Sequence, residues 1–276
     1  MKKPTTKLLL TNSFIIVTLL TSCAQHPSIA TDNNIDDDVT IYFARHGKTL
    51  FNTYDLVQGW ADTPLTDQGI KLARYLGEGF KNIQFDAYYT SDAGRQRETM
   101  QMLLEQKGVK DYKIRELKGL REVFFGGFEG RPNTKMVYSS MKLSGYNSVD
   151  AFYKGYQAGN LPIDVMIDSI AKTDPRHQAE NYQQVKTRTQ AALQTIVQNA
   201  HNNHEKTILA ISSGMSMQAM ISDLTDNKDK NKPLANATVI KIIYKNGQYT
   251  VSEIGNMEYV NKGKAALNQQ KMKLTE

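Results

Sequence analysis

The sequence predicts a three-layer α/β/α sandwich with a mostly parallel central sheet and a helical insertion. Three observations carry that prediction. Short β-branched and aromatic runs alternate with stretches whose apolar residues recur at helical spacing, the pattern of a sheet covered on both faces. Residues 131–180 break the alternation, being rich in aromatics without a strong strand run. Late in the chain, Asn246-Gly247 separates two strand-like runs, a strong hairpin signal.

Val39 to Ala44 (VTIYFA) reads as the first strand. Thr66 can cap a helix running to Phe80, with Ile70, Ala73, Gly77 and Phe80 on one stripe. Phe85 to Thr90 is a second strand, Gln96 to Gln106 a helix, and a short strand follows near Ile114. In the insertion, Lys135, Lys142 and Lys154 stand among Tyr138, Tyr146, Phe152, Tyr153 and Tyr156, which suggests a cap over a pocket; a solvated helical face is the alternative. Tyr182 to Ala200 is a helix, with Val185, Ala192, Leu193, Ile196 and Val197 inward, and Thr207 to Ser212 a buried strand. Gly214 opens a helix whose Met217, Met220, Ile221 and Leu224 read as core. Thr238–Tyr244 and Gln248–Ile254 form the hairpin, and 263–276 is expected as a polar tail closing a domain of residues 39–262.

The N-terminus reads as an address. Lys2, Lys3 and Lys7 precede a short apolar run, Leu8 to Leu20, too short for a comfortable membrane span. Leu20-Thr21-Ser22-Cys23 resembles a bacterial lipobox, and Cys23 is the single cysteine of the 276 residues. Residues 1–22 are therefore expected to be a lipoprotein signal peptide, with Cys23 lipidated and 23–38 a flexible tether. This places the protein at the cell membrane, lipid-anchored on the extracytoplasmic face. The lone cysteine excludes a disulfide scaffold and a cysteine metal site. Of the formal net charge of +6, three belong to Lys2, Lys3 and Lys7. The remaining mild excess, without a basic cluster, argues against a nucleic-acid partner.

In sheets of this kind the site lies at the carboxyl ends of the strands. Arg45-His46-Gly47 follows the first strand. A neutral imidazole can attack phosphorus, an arginine fork grips phosphate oxygens, and glycine permits close backbone approach. The surroundings strengthen the signal: Asn52, then Gln58-Gly59-Trp60-Ala61-Asp62, Pro64-Leu65-Thr66, Ser91-Asp92-Ala93-Gly94-Arg95, Leu120-Arg121-Glu122, and Phe125-Gly126-Gly127-Phe128-Glu129-Gly130. This ordered set resembles the histidine phosphatase superfamily, the phosphoglycerate mutase-like proteins, from about Val39 to Ile254. Glu122-Val123-Phe124-Phe125-Gly126 resembles its phosphatase branch rather than the mutases.

The resemblance implies that His46 is the nucleophile and Glu122 the acid that protonates the leaving oxygen. It implies that Arg45 and Arg95 grip the phosphoryl group, and that Asn52, Gln58 and Gly59 form a rim contacting phosphate or substrate. No cofactor and no metal are implied, and the partner is a small phosphorylated substrate. Glu122 has a plainer alternative, a surface pair with Arg121 or Lys118. His177, His201 and His204 read as solvent-facing. One departure stands out: Ser213 occupies the place where the family shows a second histidine, so the substrate-binding role falls to a hydroxyl. Losing one charge-assisted bond costs about 1.5–3 kcal/mol. The expectation is a slowed phosphomonoesterase working through phospho-His46. The alternative is a non-catalytic anion-binding lipoprotein.

Overall fold

A computed structural model describes residues 38–273. Cys23, the signal segment and all of the tether but Asp38 lie outside the described residues. The central sheet has six strands in the order β3-β2-β4-β1-β5-β6. They are β1 (Val39–Arg45), β2 (Ala87–Thr90), β3 (Ile114–Glu116), β4 (Thr207–Ser212), β5 (Val239–Lys245) and β6 (Gln248–Asn256). β1, β2, β3 and β4 run parallel, while β5 and β6 add antiparallel at one side. The hairpin forms at Asn246 (φ 50°) and Gly247 (φ 79°), the left-handed pair that the Asn-Gly dipeptide supplies at low cost.

The helices are α1 (Leu50–Thr53), α2 (Asp67–Gly79), α3 (Gly94–Lys107), α4 (Asn133–Ser140), α5 (Val149–Gln157), α6 (Ile163–Thr173), α7 (Tyr182–Asn203), α8 (Gly214–Ile221) and α9 (Glu258–Lys273). The Thr66 side chain accepts from Gly69 N–H at the start of α2, as its position before the apolar stripe predicts. The pleat of β1 divides the layers. Ile41 and Phe43 join α7 and α8 on one face through Leu193, Ile196, Met217 and Met220. Tyr42 and Ala44 join α2 and α3 on the other through Leu76, Phe80, Met100 and Leu103.

The insertion is helical, as expected, and builds its own core. Met136, Val137, Phe152, Met166 and Ile170 pack with Phe128, Val185 and Ala219. Its return to the sandwich is pinned by Asp174, which is fully buried. The Asp174 carboxylate accepts from the backbone N–H groups of Gly127, Arg176, Gln178 and Ala179. Those four donors hold its carboxyl below the ordinary range against the opposing effect of burial.

Two sequence expectations change. The supposed tail is mostly helical: α9 continues to Lys273, with Val260 buried on α2 and the Tyr259 ring tilted against Phe80, their centroids 4.8 Å apart. Only one stripe of α9 is apolar, so its sequence reads as polar. His201 is half-buried, its ring 5.5 Å from Tyr244, whereas His177 and His204 are exposed.

Candidate active site

The site begins with register. Arg45 at the end of β1 lies opposite Ser212 at the end of β4, and His46 N–H donates to Ser212 O at 3.0 Å. Parallel pairing therefore brings the Arg45-His46-Gly47 turn beside the N-terminus of α8. Gly47 N–H donates to Thr99 Oγ1 at 2.9 Å, and Asn236 Nδ2 donates to His46 O at 3.0 Å. The turn is thus tied to α3 on one side and to the segment before β5 on the other.

His46 is 3% exposed. Its Nδ1 lies 2.8 Å from Gly47 O, so a proton on Nδ1 is donated there and Nε2 keeps its lone pair. Burial, then the charges of Arg95 and Arg45, hold the ring well below its ordinary pKa of 6.5; the Gly47 bond opposes them. The ring is neutral at physiological pH, the form a nucleophile needs.

Arg95, 1% exposed, is clamped in place. Nη1 donates to Ala61 O at 3.1 Å and pairs with Asp62 Oδ1 at 2.9 Å, while Nη2 donates to Gly59 O at 2.8 Å. Arg45 donates through Nη1 to Leu234 O, and burial lowers its pKa from the ordinary range. The Nε atoms of both arginines are buried without a protein partner. Two such donors on adjacent cations are suited to an anion, since each unpaired buried donor costs about 1–3 kcal/mol.

Glu122 is 8% exposed and does not pair with Arg121, which instead binds Asp92 with Nη2 to Oδ2 at 2.5 Å. The plainer surface-pair alternative is set aside. Its Oε1 accepts from Val123 N–H at 2.8 Å and Ser216 N–H at 2.9 Å, and its Oε2 accepts from Met215 N–H at 3.1 Å. The Glu122 carboxyl group thus caps the start of α8. The backbone is held too: Glu122 O accepts from Trp60 Nε1 at 3.0 Å and Arg188 Nη2 at 2.8 Å.

A cavity of about 250 Å³ opens over this corner, lined by Arg45, Asn52, Gln58, Glu122 and Gly214 at one end and by insertion residues at the other. Asn52 accepts through Oδ1 from Asn236 Nδ2 at 3.2 Å. Gln58 accepts through Oε1 from the Thr49 hydroxyl at 2.6 Å and donates through Nε2 to Thr63 Oγ1 at 2.9 Å. The insertion caps the cavity with aromatics and methionines. Lys135, Lys142 and Lys154 are exposed and take no part in the lining, because amphipathic helices turn charge to water.

Three expected substrate contacts, Gly59, Arg95 and Ser213, are not among the residues lining the cavity, and neither is His46; Arg95 lines a separate hollow with Asp62 and Gly94. Gly59 supports Arg95: its N–H donates to Glu129 Oε2 at 3.0 Å, and a Cβ there would strike Val123 O. Ser213 is fully buried, and its Oγ accepts from Gln96 Nε2 at 3.0 Å. A serine side chain is too short to clear that packing, so the neighbouring Gly214 reaches the cavity and Ser213 does not.

Sequence reasoning assigned no role to several supporting residues. Glu129 accepts from the N–H groups of Gly59, Trp60, Ala61 and Phe125, shaping the loop whose carbonyls hold Arg95. Asp62 stands within the Gln58–Asp62 motif, and its partner, Arg95, lies 33 residues away. Arg188 gathers the carbonyls of Gly119, Arg121 and Glu122. Asn236 and Gln96 carried no local signal beyond Gln96 adjoining Arg95.

The sheet, the buried histidine and the paired arginines define a phosphoryl-handling α/β protein. Residues 41–143 and 165–257 match the histidine phosphatase superfamily (branch 1), and the chain belongs to that superfamily. The unmatched stretch between those spans falls inside the insertion. A phosphoglycerate mutase from Bacillus anthracis str. Sterne is similar in structure: TM-score 0.76 at 37% identity, over 82% of this chain and 97% of that one. A 2,3-bisphosphoglycerate-dependent phosphoglycerate mutase from Parvibaculum lavamentivorans is 37% identical over 92 residues, 33% of this chain and 44% of that relative. An adenosylcobalamin/alpha-ribazole phosphatase from Salmonella typhimurium is 31% identical over 136 residues, 47% of this chain and 66% of that relative. Among the described residues, no helix is long and apolar enough to cross a membrane, and no cluster of three or more His, Cys, Asp and Glu could hold a metal ion.

Proposed function

We propose that the protein is an extracytoplasmic, lipid-anchored phosphomonoesterase that works through a phosphohistidine on His46. The observation that carries this reading is the buried, neutral imidazole with its Nδ1 bonded to Gly47 O and two arginines beside it. The Nε2 lone pair attacks phosphorus and forms an N–P bond while the ester P–O bond breaks. Its electron pair leaves on the ester oxygen, which takes a proton from the Glu122 carboxyl. Water then attacks the phosphoryl group and gives its proton to the Glu122 carboxylate as the N–P electrons return to Nε2. Arg45 and Arg95 offset the charge spread over the transferring oxygens, with the otherwise unpaired Nε donors accepted by them. A positioned acid of this kind contributes about 10²–10⁴-fold.

Glu122-Val123-Phe124-Phe125-Gly126 and the signal-like N-terminus support hydrolysis over mutase activity, since an exported protein has little access to phosphoglycerates. The test is rapid quench with a chromogenic aryl phosphate carrying labelled phosphorus. Acid-labile label on His46, absent in His46→Ala, is the expected result. Label on Ser213, or turnover retained in His46→Ala, overturns the mechanism. Phosphate binding without turnover would leave the anion-binding lipoprotein as the better account, Ser213 marking lost activity.

A further inference from the structure

The cavity has two chemically distinct ends. Arg45, Glu122 and Gly214 form one. Apolar side chains make most of the other: Phe125, Met136, Phe152, Met166, Ile170 and Met215. Met136 is 7% exposed and Phe152, Met166 and Ile170 are each 3% exposed, so these surfaces belong to a packed wall with no exposed stripe. Methionines in such a wall adapt to varied apolar shapes.

The polar groups in that wall are neutral. Tyr156 donates its O–H to Gln218 Oε1 at 3.1 Å, and burial pushes the phenols of Tyr156 and Tyr153 above their ordinary range. Among the described residues lining the cavity, Arg45 is the one basic side chain, and its Nη1 is already on Leu234 O. The charged groups otherwise present are acids, Glu122 and Asp55, the latter accepting from Asn133 Nδ2 at 2.8 Å. A carboxylate or second phosphate on the substrate's body would lose its water, meet no cation at the apolar end and find Asp55 as the charged group on that side. An uncharged apolar body meets no such penalty and gains burial. A cavity near 150 Å³ holds benzene, so about 250 Å³ admits one ring or a short branched chain beside the phosphoryl group.

We infer that the substrate class is the monophosphate ester of an uncharged, apolar alcohol or phenol of about one ring in size, and that phosphorylated acids are rejected. This rests on the phosphatase reading above. Selection comes from the insertion wall, by leaving an anionic body without a partner.

The experiment uses the full chain purified in detergent and two esters of one ring, 4-(methoxycarbonyl)phenyl phosphate and 4-carboxyphenyl phosphate. The methyl ester should be hydrolysed with kcat/KM about tenfold or more above the carboxylate, the scale set by leaving one charge unpaired in a site of low polarity. Tyr153→Lys, at a half-buried position on the wall, should narrow that ratio several-fold by supplying a cation, chiefly through KM for the carboxylate. Equal use of both esters, preference for the carboxylate, or a ratio unmoved in a folded Tyr153→Lys would overturn the substrate class while the phosphatase reading stands. Hydrolysis of neither ester, with no phosphate on His46, would overturn the phosphatase reading and this inference with it.

Discussion

Gln96 Nε2 donates to Ser213 Oγ at 3.0 Å, and both side chains are fully buried at the end of β4. The same Nε2 reaches Leu120 O at 3.2 Å, and Gln96 Oε1 accepts from Ser91 N–H at 2.8 Å. The amide occupies the space beside residue 213, where the family resemblance implies an imidazole. Serine at 213 and glutamine at 96 therefore form one packing solution.

The first prediction follows from that pair. On the sequence alone, Ser213→His should raise turnover by restoring a donor that can carry charge. Ser213 and Gln96 are both fully buried and already in contact at 3.0 Å, so an imidazole at 213 would crowd Gln96; the single substitution should cost about 1–3 kcal/mol in overpacking and leave turnover flat or lower. Gln96→Ala with Ser213→His should recover the stability and raise kcat about tenfold or more, the scale of one charge-assisted bond. Urea melts and steady-state kinetics on an aryl phosphate decide it. A stable Ser213→His single variant with raised kcat would break the coupling.

Asp62→Asn should weaken the hold on Arg95. The pair at 2.9 Å joins a fully buried guanidinium side chain to a carboxylate 34% exposed, so solvent screening tempers the loss. The guanidinium keeps its bonds to Gly59 O and Ala61 O. A fall in kcat/KM of about tenfold is expected, with about 1–2 kcal/mol lost in a chemical melt. Unchanged kinetics would show that the two carbonyls suffice.

The depressed pKa of His46 sets a pH dependence. The unfolded ring binds a proton near 6.5, and the folded ring only well below it. Between those values the unfolded state holds more protons, so stability falls as pH drops below 6.5. His46→Asn should flatten that part of the stability curve relative to wild type. The acid limb of kcat/KM should likewise lie below the usual histidine range. A wild-type limb at or above 6.5 would contradict a neutral buried nucleophile.

Cys23→Ala should abolish incorporation of labelled lipid and release the protein from membranes. The lipobox-like Leu20-Thr21-Ser22-Cys23 motivates this expectation. Unchanged fractionation and labelling would sink the anchoring proposal.

The strands and helices were legible because their patterns are local. Thr66 announces α2, Asn246-Gly247 announces the hairpin, and Val39 to Ala44 alternates between two faces as a central strand must. The chemical groups were legible for a different reason. Arg45, His46, Arg95 and Glu122 stand next to recognisable turns at strand and helix ends. What escaped was support that depends on distant partners: Glu129 under the 59–61 loop, Arg188 behind Glu122 and Asn236 behind His46 each act across tens of residues. α9 was misread because a helix with one apolar stripe and many amides resembles a polar tail.

The sequence by itself determined the family and the layered α/β architecture, and it singled out the groups proposed to react, since periodicity and short motifs are written in neighbouring residues. Only the tertiary structure decided where those groups stand relative to one another. The Arg45–Ser212 register brings His46 to α8, Gln96 withdraws Ser213 from the cavity, and the insertion meets the site with apolar rings while its lysines face water. Each outcome turns on which side chains share a buried space, and chain folding alone sets that between positions far apart in sequence.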